Sequence, residues 1–152
     1  MEQLAQSVRL DDPTNERLRL AFGYACASRV RHLLETHAVV QCLEVLERYL
    51  EGSMERALLD TAAAQARQLA NQHQGSQSLD GCGHAAVSAT YAVANALSGK
   101  ALQAAEYAAY AAVYGQGGHG AVAEPESFEP EFQWQLDQLD ALTRRVELHP
   151  AR

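Results

Sequence analysis

The side chains that could carry chemistry here are three cysteines (Cys26, Cys42 and Cys82), six histidines, an excess of carboxylates, one arginine among apolar residues and one tryptophan among polar ones. Metal binding needs several ligands converging, and two helical ligands share a face only near i, i+4 spacing. Cys82 and His84 miss that spacing, as do His32 and His37, and neither HExxH nor CxxC occurs. No metal site is expected. Ser88 and Thr90 fall in a helical pattern with no adjacent base, so no activated nucleophile is indicated. Gly115 to Gly120 is glycine-rich but lacks the Lys-Ser/Thr ending and flanking strand of a phosphate-binding loop. Glu44, Glu47 and Glu51 recur along one polar helical face, which solvation explains better than acid–base work. The expectation is no catalytic residue and no cofactor. An enzyme using a pocket around His84, Tyr107 and Arg29 is the least favoured reading.

Two residues resist a purely structural account. Arg29 falls at a helical angle inside the stripe Leu18, Phe22, Ala25 and Leu33. A buried charge without a partner is costly, so a carboxylate from another helix, Asp60 or Glu106, is expected to form a structural ion pair with it. Trp134 points away from the expected core stripe of its helix (Phe132, Leu136, Leu139, Val146) and shares a side with Asp137, Gln138, Ala141 and Arg145. An exposed indole makes a good contact anchor. With Glu124, Glu126, Glu129, Glu131 and Asp137 nearby in sequence, Trp134 marks the expected partner-binding patch. The alternative is that the N-terminal arm or the glycine-rich segment covers it.

These residues must be positioned by helices. From Ala85 to Tyr114 the chain is largely alanine, the best helix former, with Tyr91, Tyr107, Tyr110 and Tyr114 set into it. Two such helices, broken at Ser98-Gly99, imply backbones packed close together. The pattern predicts an all-α, single-domain bundle of about six helices over residues 1–152, with a central Ala/Tyr-rich pair. Residues 1–11 form an N-terminal arm. Asp12-Pro13 opens a first helix running to about Glu35. A second covers about His37 to Glu51 and is ended by Gly52. A third covers about Met54 to His73, with Met54, Leu58, Thr61, Ala62, Gln65 and Leu69 inward. Residues 74–78 form a polar turn. The fourth helix runs from about Asp80 to Leu97. The fifth runs from about Lys100 to Tyr114 and is expected at the bundle's centre, alanines on one side and tyrosines filling a wider gap on the other. Residues 115–130 form a Gly/Pro/Glu-rich connection that cannot hold a helix, residues 131–147 the last helix, and residues 149–152 a frayed tail.

Charge and composition narrow the class. The formal net charge is −7 and the pI near 5.3, which disfavours nucleic acid and anionic membrane as partners and favours a basic one. No apolar run is long enough to span a bilayer. The segment Met1-Glu2-Gln3-Leu4 lacks a signal-peptide pattern, and an odd number of scattered cysteines argues against a disulfide framework. A cytoplasmic protein is expected.

Three segments carry a resemblance: Arg19-Leu20-Ala21-Phe22-Gly23-Tyr24-Ala25-Cys26-Ala27-Ser28-Arg29-Val30, the run from Gly83-His84-Ala85 to Ala96, and Ala104-Ala105-Glu106-Tyr107-Ala108-Ala109-Tyr110-Ala111. Together they span much of residues 17 to 114 and resemble a family of small alanine-rich immunity proteins of bacterial polymorphic toxin systems. The resemblance implies an all-helical protein that binds and neutralises a cognate toxin. It transfers no catalytic or contact residue by position. Acidic charge would speed encounter with a basic toxin, such as a nuclease. The competing reading is a helical adaptor or homo-oligomer, joined through its alanine and tyrosine helices, without a toxin partner.

Overall fold

A computed structural model describes residues 5–6, 9–10, 12–72 and 82–148. Among them are six α-helices: α1 (Glu16–Arg29), α2 (His37–Leu50), α3 (Arg56–Gln72), α4 (Cys82–Leu97), α5 (Ala101–Val122) and α6 (Glu129–Leu148). Short 3₁₀ turns lie at Pro13–Asn15, Arg31–Leu33 and Pro125–Phe128, and no strand is present among the described residues. The architecture is an all-α, single-domain bundle. The polar turn expected at 74–78 and the tail at 149–152 lie outside the described residues.

Local chemistry sets the ends. The Asp12 carboxylate accepts from the Thr14 amide at 2.9 Å, and Pro13 opens the first turn. The α4–α5 junction closes with the Lys100 amide donating to the Asn95 carbonyl at 2.9 Å, while Gly99 takes φ 75°. That left-handed cap is open to glycine at little cost. Of the N-terminal arm, Ala5 and Leu10 are buried, and Arg19 Nη1 donates to the Leu10 and Asp12 carbonyls at 2.9 and 2.7 Å.

The bundle is organised around α4. From Ala85 to Leu97 only Val87, Ser88 and Tyr91 escape full burial, and the helix packs on α1, α2, α3 and α5. Its buried polar groups are satisfied. Thr90 Oγ1 donates to the Ala86 carbonyl at 2.8 Å, and Asn95 donates to the Tyr91 carbonyl and accepts from Arg67. Gly23 of α1 lets the two backbones meet: a Cβ there would lie 3.1 Å from Ala96 Cα.

Three expectations need correcting. α4, not α5, is the enclosed helix. α5 buries its alanines, but Tyr107 and Tyr110 remain 39% and 44% exposed, because the rings lie on the side that no further helix covers completely. Second, α5 does not stop at Tyr114. It continues through the glycine-rich run to Val122, broken only at Gly118 (φ 63°, ψ −152°). Packing overrides propensity there: a Cβ at Gly115 would lie 3.1 Å from Leu33 Cδ2, so the small residue admits the leucine. Third, two inward stripes are rotated. α3 buries Leu59, Ala62, Ala66 and Ala70 and leaves Leu58 50% exposed. α6 turns Glu131, Gln135 and Leu139 inward and leaves Phe132 41% exposed. The Val146 side chain lies outside the described residues.

Candidate partner-binding face

The inward turn of α6 follows from two polar ties. Arg29 Nε donates to Glu131 Oε2 at 2.9 Å and to Oε1 at 3.2 Å. Gln135 donates to the Ala105 carbonyl at 2.8 Å. The first tie joins α6 to α1 and the second joins it to α5. Together they fix the rotation of α6.

The expected ion pair is therefore real in kind but differs in partner. The carboxylate comes from Glu131 in the last helix. Asp60 pairs with Arg56 at 3.1 Å on the surface, and Glu106 is exposed, in no ion pair among the described residues, on a cleft it shares with Arg19 and Lys100. Arg29 is also less enclosed than expected. Its side chain is 37% exposed, while that of Glu131 is 6% exposed. The buried member is the carboxylate, and the arginine caps it from the surface.

Trp134 is likewise placed differently. It packs against the core, half-buried, and the Arg29 guanidinium lies over its ring 4.3 Å from the centroid. Among the described residues the indole, Arg29 and Glu131 form one intramolecular cluster. Of the patch residues, Glu124, Glu126, Glu129 and Asp137 are exposed, whereas Glu131 is buried and engaged.

In place of Trp134, the outward turn of α6 presents a different set of aromatics. Tyr110 of α5 meets Phe128 of the 3₁₀ turn at 5.5 Å between centroids, and Phe128 stacks on Phe132 of α6 at 5.8 Å. Behind Tyr110, Tyr114 follows at 5.5 Å and itself stacks on His84 at 5.3 Å. Tyr107 stacks on Tyr91 at 5.2 Å along the same side of α5. These separations are those of favourable aromatic pairs. The outcome is an aromatic ridge from His84 through Tyr114, Tyr110 and Phe128 to Phe132, open to solvent at Tyr110 and Phe132, with the Tyr91–Tyr107 pair further along α5 and Tyr107 also exposed.

Around the ridge the charge is one-sided. Between Ala101 and Thr143 there are seven carboxylates and no lysine or arginine. Glu131 is matched by Arg29 and Asp140 by Arg144. That leaves Glu106, Glu124, Glu126, Glu129 and Asp137 without a cation among the described residues. The α1–α3 side mixes its signs: seven arginines stand among the carboxylates of residues 12–72 and form Arg31–Glu44 at 3.0 Å, Arg56–Glu16 and Arg56–Asp60, while Glu35, Glu47, Glu51 and Glu55 make no ion pair among the described residues. There the Arg56 hydrogen bond holds the Glu16 carboxyl below its usual range.

Burial raises the thiols of Cys26 and Cys42 above the ordinary cysteine value, which disfavours the reactive thiolate. His84, Tyr107 and Arg29 each stack on a different ring. No group of three or more His, Cys, Asp or Glu side chains is poised to hold a metal among the described residues, and no helix there is long and apolar enough to cross a membrane. One open cleft of about 240 Å³ lies beside Arg29, His32, Gln116 and Glu131.

Comparison with protein-family models, curated proteins and solved structures gives no match. The functional reading therefore stands on this face and on the three sequence segments. A signal for the ridge was present in the sequence. Tyr107, Tyr110 and Tyr114 share a helical side, Phe128 and Phe132 are four apart, and the positive charges lapse from Lys100 to Arg144.

Proposed function

We propose that this chain is an immunity-type protein that binds and neutralises a basic bacterial toxin through the acidic face of α5 and α6. The observation that carries the reading is the stretch from Ala101 to Thr143, which has no lysine or arginine and carries both exposed carboxylates and exposed aromatic rings. Monomeric proteins rarely expose connected large apolar side chains without a partner for them. Aromatics are enriched at the centres of protein interfaces. Unmatched carboxylates around such a centre steer a basic protein toward it and discriminate against acidic ones. The three segments that resemble immunity proteins support the same class and lie in α1, α4 and α5, the scaffold behind the face.

The face also speaks against simple self-association. Two copies meeting ridge to ridge about a two-fold axis would bring the same carboxylates together, and juxtaposed like charges are costly. The test is survival of cells that produce the toxin encoded beside this gene. Co-production of the wild-type chain is expected to restore growth. A chain that folds and accumulates but leaves the toxin fully lethal would overturn the proposal.

A further inference from the structure

Two arginines in this molecule are held in the same way. Arg29 lies over Trp134 at 4.3 Å and donates to the Glu131 carboxylate. Arg56 lies over Tyr49 at 5.8 Å and donates to Glu16 and Asp60. In each case the guanidinium carbon lies over an aromatic ring, Arg56 also hydrogen-bonding Tyr49, and a neighbouring carboxylate takes an N–H. Both contacts suit arginine better than lysine, whose ammonium cannot stack flat on a ring.

The ridge offers the same two ingredients without the third. Tyr110 and Phe132 present open rings. Glu106 lies one helical turn before Tyr110, and Glu129 lies three residues before Phe132, so each shares a helix side with its ring. Glu126 precedes Phe128 in the 3₁₀ turn. Among the described residues no arginine lies over Tyr110 or Phe132.

We infer that the ridge is an arginine-reading surface: the partner presents a protein segment whose guanidinium stacks on Tyr110 or Phe132 while a flanking carboxylate accepts its N–H. This rests on the reading of a basic partner and adds which basic side chain is read and by which rings. Charge complementarity selects this occupant over a second copy, which would present carboxylates to carboxylates. It also separates two duties. The carboxylates attract any polycation, and the rings distinguish arginine from lysine.

The test uses the full chain with fluorescein-labelled octa-arginine and octa-lysine, whose formal side-chain charges are equal, at low ionic strength. Wild-type protein is expected to bind octa-arginine about three- to fivefold more tightly than octa-lysine. The Tyr110→Ala, Phe132→Ala variant, altered at exposed positions and checked by circular dichroism, is expected to bind the two peptides equally. A Glu124→Gln, Glu126→Gln, Glu129→Gln variant is expected to weaken both and keep the preference. An arginine preference that survives loss of both rings, or one absent from the wild type, would overturn the inference and leave the acidic face standing. If neither peptide binds the wild type, the basic-partner reading falls with it.

Discussion

Arg29 shows how one side chain decides what the surface offers. Its Nε holds Glu131, its plane covers Trp134, and the inward pull on Glu131 turns Phe132 out. Replacing it with alanine leaves a nearly buried carboxylate without its donor. Arg29→Ala is expected to lose about 2 kcal/mol of stability by urea denaturation, below the range for a fully buried pair because the arginine is partly solvated. Glu131→Gln keeps an acceptor for Nε and is expected to lose less than half as much. Equal losses would mean that the ionic charge, rather than the hydrogen bond, carries the tie. Glu16 gives a residue-level pH test. Its folded pKa lies below the ordinary 4.5 because Arg56 hydrogen-bonds the charged form. Its contribution is thus fully present above that value and disappears as the pH falls through the folded pKa. The pair is half exposed, so Glu16→Gln is expected to cost under about 1 kcal/mol at pH 7. By pH 3 its stability should move toward that of the wild type. A gap that stays constant from pH 7 to pH 3 would contradict the assignment.

At the scale of the helices, alanine governs which contacts form. A Cβ at Gly23 would lie 3.1 Å from Ala96 Cα, a backbone atom of α4 that would have to shift by a few tenths of an ångström. Gly23→Ala gains about 1 kcal/mol in helix propensity but overpacks the interface, at a cost of about 1–3 kcal/mol. A net loss of about 1 kcal/mol is expected, and Gly23→Leu should lose far more. A more stable Gly23→Ala protein in thermal melts would show that the helices can move apart. The same preference for small side chains explains what the sequence concealed. Helix positions, the Asp12-Pro13 start and the Ala/Tyr pair were legible because capping, propensity and composition are local. The inward faces of α3 and α6 were not. Ranking positions by apolar size puts Leu58 and Phe132 inside, whereas close-packed backbones admit Ala62, Ala66 and Ala70 and send larger groups out. On α6 the inward residues Glu131 and Gln135 look like surface until their partners, Arg29 and the Ala105 carbonyl, are known. The extension of α5 past Tyr114 was hidden for a related reason, since Leu33 reaches Gly115 from far along the chain.

Across the whole molecule, charge and aromatic exposure are sorted to different sides. The α1–α3 side interleaves arginines with its carboxylates, while the α5–α6 side has seven carboxylates and no lysine or arginine between Ala101 and Thr143. The carboxylates expected beside Trp134 belong to the α5–α6 side, whose exposed aromatics are Tyr107, Tyr110 and Phe132, while Trp134 is half-buried under Arg29. The anchor of that side is expected to be Tyr110 and Phe132. Attraction through such a face weakens with salt, because exposed charges are screened within about 10 Å at 0.1 M ionic strength. Association with a basic toxin is therefore expected to slow markedly between 50 and 300 mM salt, measured by stopped-flow mixing, with dissociation changing much less. A salt-independent association rate would contradict steering by this face. The most direct measurement is hydrogen–deuterium exchange of the chain with and without the partner the proposal requires, a purified basic toxin. Protection confined to residues 103–114 and 124–137 is the predicted result. Protection confined to α2 and α3, with the ridge unchanged, would contradict the account.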